Sequence, residues 1–310
     1  MISVVVPLFN KASHIENTVR SVLAQSYQDF ELIVVNDGST DRGPEIVKAI
    51  NDPRVIIIEQ GNAGVAAARN RGIDAARRAL VAFLDADDLW NRDFLATVIR
   101  LSVLHPHAGL HATAYQILTR ENKLIDPRFK AIPSPSWEGV IPSYFQSAAL
   151  GDPPVCSSAC CVPRRILAEV GGFPEGRRMG EDLDLWGRIA LRYPVAFSSY
   201  KGAVYCQNAE NRACLTFGMQ DEHPFIETIN NLHRVNDMPV QHLEAVDLYI
   251  TRLGIENIRQ HVLAGNIRRA RELSRELKNK WAFPLRQFLW GSSLNGMTRM
   301  FWYLRYSFLP

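Results

Sequence analysis

Apolar runs and amphipathic stretches alternate along the first 90 or so residues of the chain. Residues 2–6 (ISVVV) form a short, mostly apolar run that predicts a buried strand. Ser13, His14, Ile15 and Glu16 then have the spacing of a helix capping box. Ile15, Val19, Val22 and Leu23 follow on one helical face. Residues 31–35 predict a second strand, and Asp41 with Pro44 suits the start of a helix carrying Ile46, Val47 and Ile50. A third strand is expected at 55–58 and a fourth at 80–84. Between them, residues 62–78 read as a helix with a face of small residues: Gly64, Ala67, Ala68, Gly72 and Ala75.

Strand and helix alternating in this way predict an α/β domain, a mostly parallel sheet with helices on both faces. Ligands of such sheets bind beyond the carboxyl ends of the strands. The residues found there are Pro7, Leu8, Phe9 and Asn10 after the first strand, and Asn36 and Asp37 after the second. Glu59, Gln60, Gly61 and Asn62 follow the third, and Asp85, Ala86, Asp87 and Asp88 the fourth. Polar and acidic groups from four segments therefore converge on one rim. Further on the pattern loosens, with prolines at 127, 133, 135, 142, 153 and 154 marking loops. A strand is expected at 158–162 and helices at 164–170 and 181–192. From about residue 216 helix formers dominate, with helices expected at 239–262 and 267–277. The division is therefore an α/β domain at 1–215 and a helical C-terminal extension at 216–310.

Composition narrows this only a little. Of 310 residues 47% are apolar and 22% charged, and the net charge of +3 gives no reason to expect nucleic acid as a partner. The N-terminus lacks the pattern of a signal peptide, and no run of about 18 uncharged apolar residues predicts a spanning helix. Cys156, Cys160, Cys161, Cys206 and Cys214 are too irregularly spaced for a disulfide framework or a zinc pattern, and read as free thiols in a reducing cytosol.

Three carboxylates crowded at the end of a buried strand repel one another, and a divalent cation would relieve that cost. Carboxylate oxygens suit Mg²⁺ or Mn²⁺, which also bind phosphate oxygens. The plainer alternative is an acidic turn capping the next helix through Asp88 or Asn91. Alternate residues of an extended segment point the same way, so Asp85 and Asp87 can face one ligand. Asn36 to Ser39 reads by itself as a turn, although beside Phe9 it offers a carboxylate for a base edge and a ring for stacking. Arg69 and Arg71, near a helix start at Asn62, suit phosphate or a solvated basic face. Glu181 and Asp182 suit a helix N-terminus, where acids are favoured.

Several segments together resemble family 2 glycosyltransferases of the GT-A (Rossmann-like) fold: SVVVPLFN at 3–10, VVNDGSTD at 34–41, NAG at 62–64 with ARNRG at 68–72, and FLDADD at 83–88. GGFPE at 171–175 and GEDLDLW at 180–186 resemble that family's acceptor-side motif, so the likeness covers roughly residues 1–200. The resemblance implies a nucleoside diphosphate sugar donor, of the UDP-sugar kind, held among Pro7, Phe9, Asn10, Asp37, Asn62, Arg69, Arg71, Asp85 and Ala86. It also implies a Mn²⁺ or Mg²⁺ ion on Asp87, and inversion at the sugar carbon with Asp182, beside Glu181, as the catalytic base. The acceptor would be a glycan or lipid-linked glycan in cell-surface polysaccharide or glycolipid synthesis. A Gln-x-x-Arg-Trp motif is absent, which favours transfer of one sugar per encounter over processive synthesis.

Alternatives are a sugar nucleotidyltransferase, for which the Gly-rich phosphate loop is missing, and an inactive carbohydrate-binding relative. A dehydrogenase lacks its G-x-G-x-x-G after the first strand. Residues 281–310 mix nine aromatics with Arg286, Arg299 and Arg305, and Leu294, Met297, Phe301, Leu304 and Phe308 fall near helical spacing. This stripe fits either a membrane-surface helix, peripheral on the inner face of the cell membrane, or a helix packed on the catalytic domain.

Overall fold

A computed structural model of the protein describes residues 1–133, 136–177, 179–209, 223–235 and 243–280, with residues 278–280 described by backbone alone. The chain divides into two compact units. The first comprises Met1–Pro127, Pro133–Ile141 and Val155–Thr216, and the second Arg128–Ile132, Pro142–Pro154 and Phe217–Pro310.

The first unit is built on one sheet. Its strands are β1 (Ile2–Leu8), β2 (Phe30–Asp37), β3 (Val55–Gln60), β4 (Leu80–Phe83), β5 (Leu89–Trp90), β6 (Leu110–Leu118), β7 (Leu124–Ile125), β8 (Glu138–Val140), β9 (Cys160–Pro163) and β10 (Val195–Cys206). They run in the order β3-β2-β1-β4-β9-β6-β10-β5, with β7 beside β6 and β8 beside β10. The expected α/β class and the parallel order hold across β3, β2, β1 and β4. Beyond β4 the sheet is mixed: β9 runs antiparallel to both β4 and β6, and only the β6–β10 pair is parallel there. β1 and β2 are buried along their whole length, which explains their near-continuous apolar sequences.

The helices of this unit are α1 (Ile15–Leu23), α2 (Gly43–Ala49), α3 (Val65–Ala75), α4 (Phe94–Leu104), α6 (Arg164–Val170) and α7 (Glu181–Ala190), while α5 (Tyr144–Leu150) belongs to the second unit. The small-residue face of α3 has a direct cause. A Cβ on Gly72 would come within 2.3 Å of Val5 Cγ1, so the helix lies close on β1. α3 starts later than expected because the backbone N–H groups of Ala63 and Gly64 are drawn to the Asp37 carboxylate. The expected capping box before α1 does not form. His14 is the cap residue without a side-chain bond, and the Ala12 N–H is held by Asp41 Oδ2 at 2.8 Å instead.

The second unit is helical, with α5, α8 (Pro224–Arg234), α9 (Leu243–Leu263) and α10 (Ile267–Lys280). Tyr144, Phe145, Phe225 and Tyr249 form its aromatic core, with Phe145 stacked on Phe225 at 5.8 Å. Ile258 of α9 packs with Ala270 and Leu277 of α10. Among the described residues no helix is long and apolar enough to cross a membrane. The aromatic stripe at 281–310, the helix start at 237–239 and Cys214 lie outside the described residues. Cys156, Cys160, Cys161 and Cys206 are free thiols.

His111 on β6 is 1% exposed, and its Nδ1 has no partner. Burial holds its imidazole down at about 4, from an ordinary value of 6.5. It is therefore neutral in the fold and takes a proton in the unfolded chain once the pH falls below 6.5. Its share of stability is present above that value and lost as the pH falls towards 4, up to about 3 kcal/mol. His111→Gln should flatten the fall in urea midpoint between pH 7 and pH 4.5. An unchanged pH slope in the variant would place the loss elsewhere.

Candidate active site

The turn after β4 is the most constrained piece of the rim. The Asp88 N–H closes it on Asp85 O at 3.0 Å. From α1, Thr18 Oγ1 lies 2.9 Å from the carbonyl oxygens of both Ala86 and Asp88. The Asp88 side chain is fully buried and accepts the Cys206 N–H at 2.7 Å and the Ser158 hydroxyl. Ser158 Oγ in turn accepts the Asp85 N–H at 3.1 Å. Burial first, then the charges of Asp87 and Asp85, push the Asp88 carboxyl well above the usual carboxylate range. Asp88 is thus a structural tie and not a helix cap. The next helix, α4, begins at Phe94.

Asp85 and Asp87 each meet a cation from the chain itself. Arg69 Nη2 donates to Asp85 Oδ1 at 2.7 Å and Lys11 Nζ to Asp87 Oδ2 at 2.6 Å. Part of the repulsion among these acids is therefore relieved without a metal. Arg69 Nη1 donates to Glu181 Oε1 at 2.8 Å, and its guanidinium lies over the Phe173 ring at 5.1 Å. Its side chain is only 4% exposed. Burial lowers its basicity, but Asp85, Glu181 and Asp182 together raise it above the ordinary arginine value. Arg69 was expected as a phosphate contact; here both of its terminal nitrogens donate to carboxylates inside the protein.

The same bridge brings the acceptor-side motif to the rim. Glu181 and Asp182 open α7 behind Gly180, whose φ of 77° is a left-handed turn. Glu181 is buried, and burial with the neighbouring Asp182 charge raises its carboxyl while Arg69 pulls it back. Its side chain, expected beside the catalytic base, is paired with Arg69. Asp182 stays partly exposed, and its Oδ2 accepts the Ser157 hydroxyl at 2.8 Å. Asn70 fastens the preceding loop: its Oδ1 takes the Phe173 N–H at 2.8 Å, and its Nδ2 donates to Phe173 O at 2.9 Å.

On the other side of the rim, Asp37 is 3% exposed and accepts from Gln60 Nε2, Ala63 N–H and Gly64 N–H, all at 2.8 Å. Gly38 must be glycine here, since a Cβ would sit 2.8 Å from the Asn62 nitrogen and φ is +70°. Asn10 Oδ1 accepts from the Thr40 N–H at 2.8 Å and the Asp41 N–H at 3.3 Å, tying the loop after β1 to the loop after β2. Pro7 and Ala86 are buried, whereas Asn62 and Arg71 are exposed. Phe9 is 44% exposed, an open ring at the rim. Lys11, Thr18, Ser157 and Ser158 were not singled out from sequence. Adjacency to Asn10 in the first motif was the one signal pointing to Lys11.

The residues present fit a divalent cation of the Mg²⁺ or Mn²⁺ kind. Asp85 and Asp87 are partly exposed at 28% and 15%, and Asp85 Oδ2 and Asp87 Oδ1 accept nothing from the described residues. Such ions are commonly held by one or two carboxylates, with phosphate and water completing the shell. Among the described residues no group of three or more His, Cys, Asp or Glu side chains forms a cage of its own.

The chain is similar to known proteins in family and in fold. The model of the family described as Glycosyl transferase family 2 matches residues 3–171. An uncharacterized glycosyltransferase of Rickettsia bellii is 33% identical over 193 residues, 62% of this chain and 26% of that protein. A putative teichuronic acid biosynthesis glycosyltransferase, TuaG of Bacillus subtilis, is 33% identical over 129 residues, 41% of this chain and 51% of its own. The chain thus spans about a quarter of the Rickettsia relative and half of TuaG. Among solved structures, S. aureus TarS 1–349 in complex with UDP-GlcNAc shares the fold with a TM-score of 0.64 at 19% identity. That likeness covers 94% of this chain and 81% of TarS 1–349.

Arg69→Met should cost about 3 kcal/mol of stability, because it strands the buried Glu181 and leaves the partly exposed Asp85 unpaired. In urea unfolding, adding Glu181→Gln should recover part of that loss, as expected for directly coupled partners. Additive effects of the two changes would deny the bridge.

Proposed function

The chain belongs to glycosyl transferase family 2, and from that membership we propose that it moves a single sugar, with inversion, from a nucleoside diphosphate sugar to an acceptor hydroxyl. The Arg69 bridge carries this reading, since it joins the donor-side Asp85 to Glu181, the neighbour of Asp182, through one guanidinium. A carboxylate for the leaving group and a carboxylate for the nucleophile are thereby tied into one frame.

In this reading the exposed Phe9 ring stacks on the base. Asp37 has three donors on a carboxylate with roughly four acceptor positions and keeps one for the base edge. Asn10, Asn62, Pro7 and Ala86 shape the pocket through backbone and packing, and Arg71 supplies an exposed guanidinium for phosphate. Asp87, with Asp85 beside it, would hold a Mn²⁺ or Mg²⁺ ion, which when bound neutralises charge on the departing diphosphate. Asp182 takes the proton of the acceptor hydroxyl from within about 2.6–3.2 Å. The Ser157 hydroxyl and the Leu183 N–H orient that carboxylate. That S. aureus TarS was solved with UDP-GlcNAc supports a UDP-sugar donor. The likeness to TuaG supports a glycan or lipid-linked glycan acceptor in cell-surface polysaccharide synthesis. Residues 1–215 would form the catalytic domain and 216–310 a helical appendage, with the aromatic and arginine-rich tail serving a lipid-linked acceptor at the membrane surface.

Two substitutions separate the roles. Asp87→Ala should abolish the Mn²⁺-dependent part of UDP binding in calorimetry, and unchanged affinity with Mn²⁺ would remove Asp87 from the metal. Asp182→Asn should leave UDP affinity within about threefold while lowering sugar transfer by about 10²- to 10⁴-fold. Retained turnover in that variant would mean another base.

A further inference from the structure

Lys11 is the one side chain whose position the transfer reaction does not yet use. Its ammonium donates to Asp87 Oδ2 at 2.6 Å, and both side chains are largely buried, at 12% and 15% exposed. The neighbouring carboxylates are already served: Asp85 by Arg69, Asp88 by Ser158 and the Cys206 backbone, and Asp182 by Ser157. Lys11 is the cation paired with Asp87, and it makes a further contact besides. It follows Asn10, whose side chain is fixed to Thr40 and Asp41, so the root of the lysine is anchored and a flexible four-carbon stem carries its ammonium.

We infer that Lys11 is a built-in counterion that holds the place of the metal's charge on Asp87 until the nucleotide diphosphate arrives. The inference rests on the metal reading of Asp87. A divalent cation approaching the donor-free protein meets an ammonium already paired with its carboxylate, and two cations in one partly buried site repel strongly. When diphosphate enters with the metal, its negative charge compensates both cations. Lys11 then leaves Asp87 still protonated and stays within reach of the phosphate on its four-carbon stem. No proton is gained or lost in the exchange. The consequence is ordered occupancy: metal binds weakly alone and tightly with nucleotide, and by linkage the nucleotide binds tightly only with metal. An enzyme so built does not collect stray divalent ions without its donor.

The test is an electron paramagnetic resonance titration of Mn²⁺ into the full chain, alone and with saturating UDP, with chelation by UDP itself measured in parallel. The wild-type protein should bind Mn²⁺ weakly alone and about tenfold or more tighter with UDP. Lys11→Met should bind Mn²⁺ alone about tenfold or more tighter than wild type, with a smaller gain from UDP. Lys11→Arg, which keeps the charge, should restore the weak binding. Lys11→Gln repeats the test should the Met variant fold poorly, as judged by its melting temperature. Wild-type affinity for Mn²⁺ alone in folded Lys11→Met, with Asp87→Ala still losing Mn²⁺-dependent UDP binding, would overturn the counterion role and leave the metal reading standing. Absence of any Mn²⁺ binding by the wild-type protein with UDP would overturn both.

Discussion

The buried guanidinium of Arg69 is the constraint on which the rest of the site depends. A charged group with 4% exposure is costly unless it is paired, and here two carboxylates take its two terminal nitrogens from opposite sides, while Nε has no partner among the described residues. Asp85 comes from the turn after β4 and Glu181 from the start of α7, segments nearly a hundred residues apart. Glu181 is the deeper of the two acids and Asp85 the more open, and the arginine's charge is matched between them. The close approach of α3 to β1, which Gly72 permits, brings Arg69 to that point.

Around this bridge the rim is knitted by short side chains rather than by one large pocket wall. Adjacent serines divide the work: Ser157 donates to Asp182, while Ser158 donates to Asp88 and receives the Asp85 N–H. One turn before β9 thus fixes donor-side and acceptor-side carboxylates together. Asn70 adds a second fastening between α3 and the loop before α7. Charged groups held by several fixed dipoles need little reorganisation when charge develops nearby, which is the usual basis of electrostatic catalysis.

Most of the framework was legible in the sequence. The strands β1 to β4 are marked by apolar runs, and the acids at their ends announce a rim. The antiparallel half was not, because β9 is four residues long and its apolar run has no direction written in it. The late start of α3 was hidden for a related reason: Gly64 continues the small-residue face of the helix, but a carboxylate on β2 claims the N–H groups of Ala63 and Gly64. Within the site, residue identity located the acids but not their partners. Arg69 reads equally as a phosphate ligand or a carboxylate ligand, and only burial separates the two. Lys11, Ser157 and Ser158 carry no periodic signal, since their contacts span 25 to 76 positions of sequence.

Environment then sorts the carboxylates into roles. Asp85 and Glu181 share one cation, and Asp88 is sealed in a position where burial disfavours its charge, so these three hold the frame. Asp87 and Asp182 are different. Asp87 is anchored through one oxygen to Lys11, Asp182 through one oxygen to Ser157 and through the other to the Leu183 N–H, and each remains partly open to what enters the rim. A carboxylate must be oriented to act and yet retain unspent acceptor capacity to bind a cation or take a proton. On the proposed reading, Asp87, with Asp85 beside it, and Asp182 lie on either side of the Arg69 bridge, in the turn after β4 and at the start of α7. Chemistry at a departing diphosphate and chemistry at an incoming hydroxyl would then fall to different residues of one hydrogen-bonded network, without asking any single carboxylate to do both.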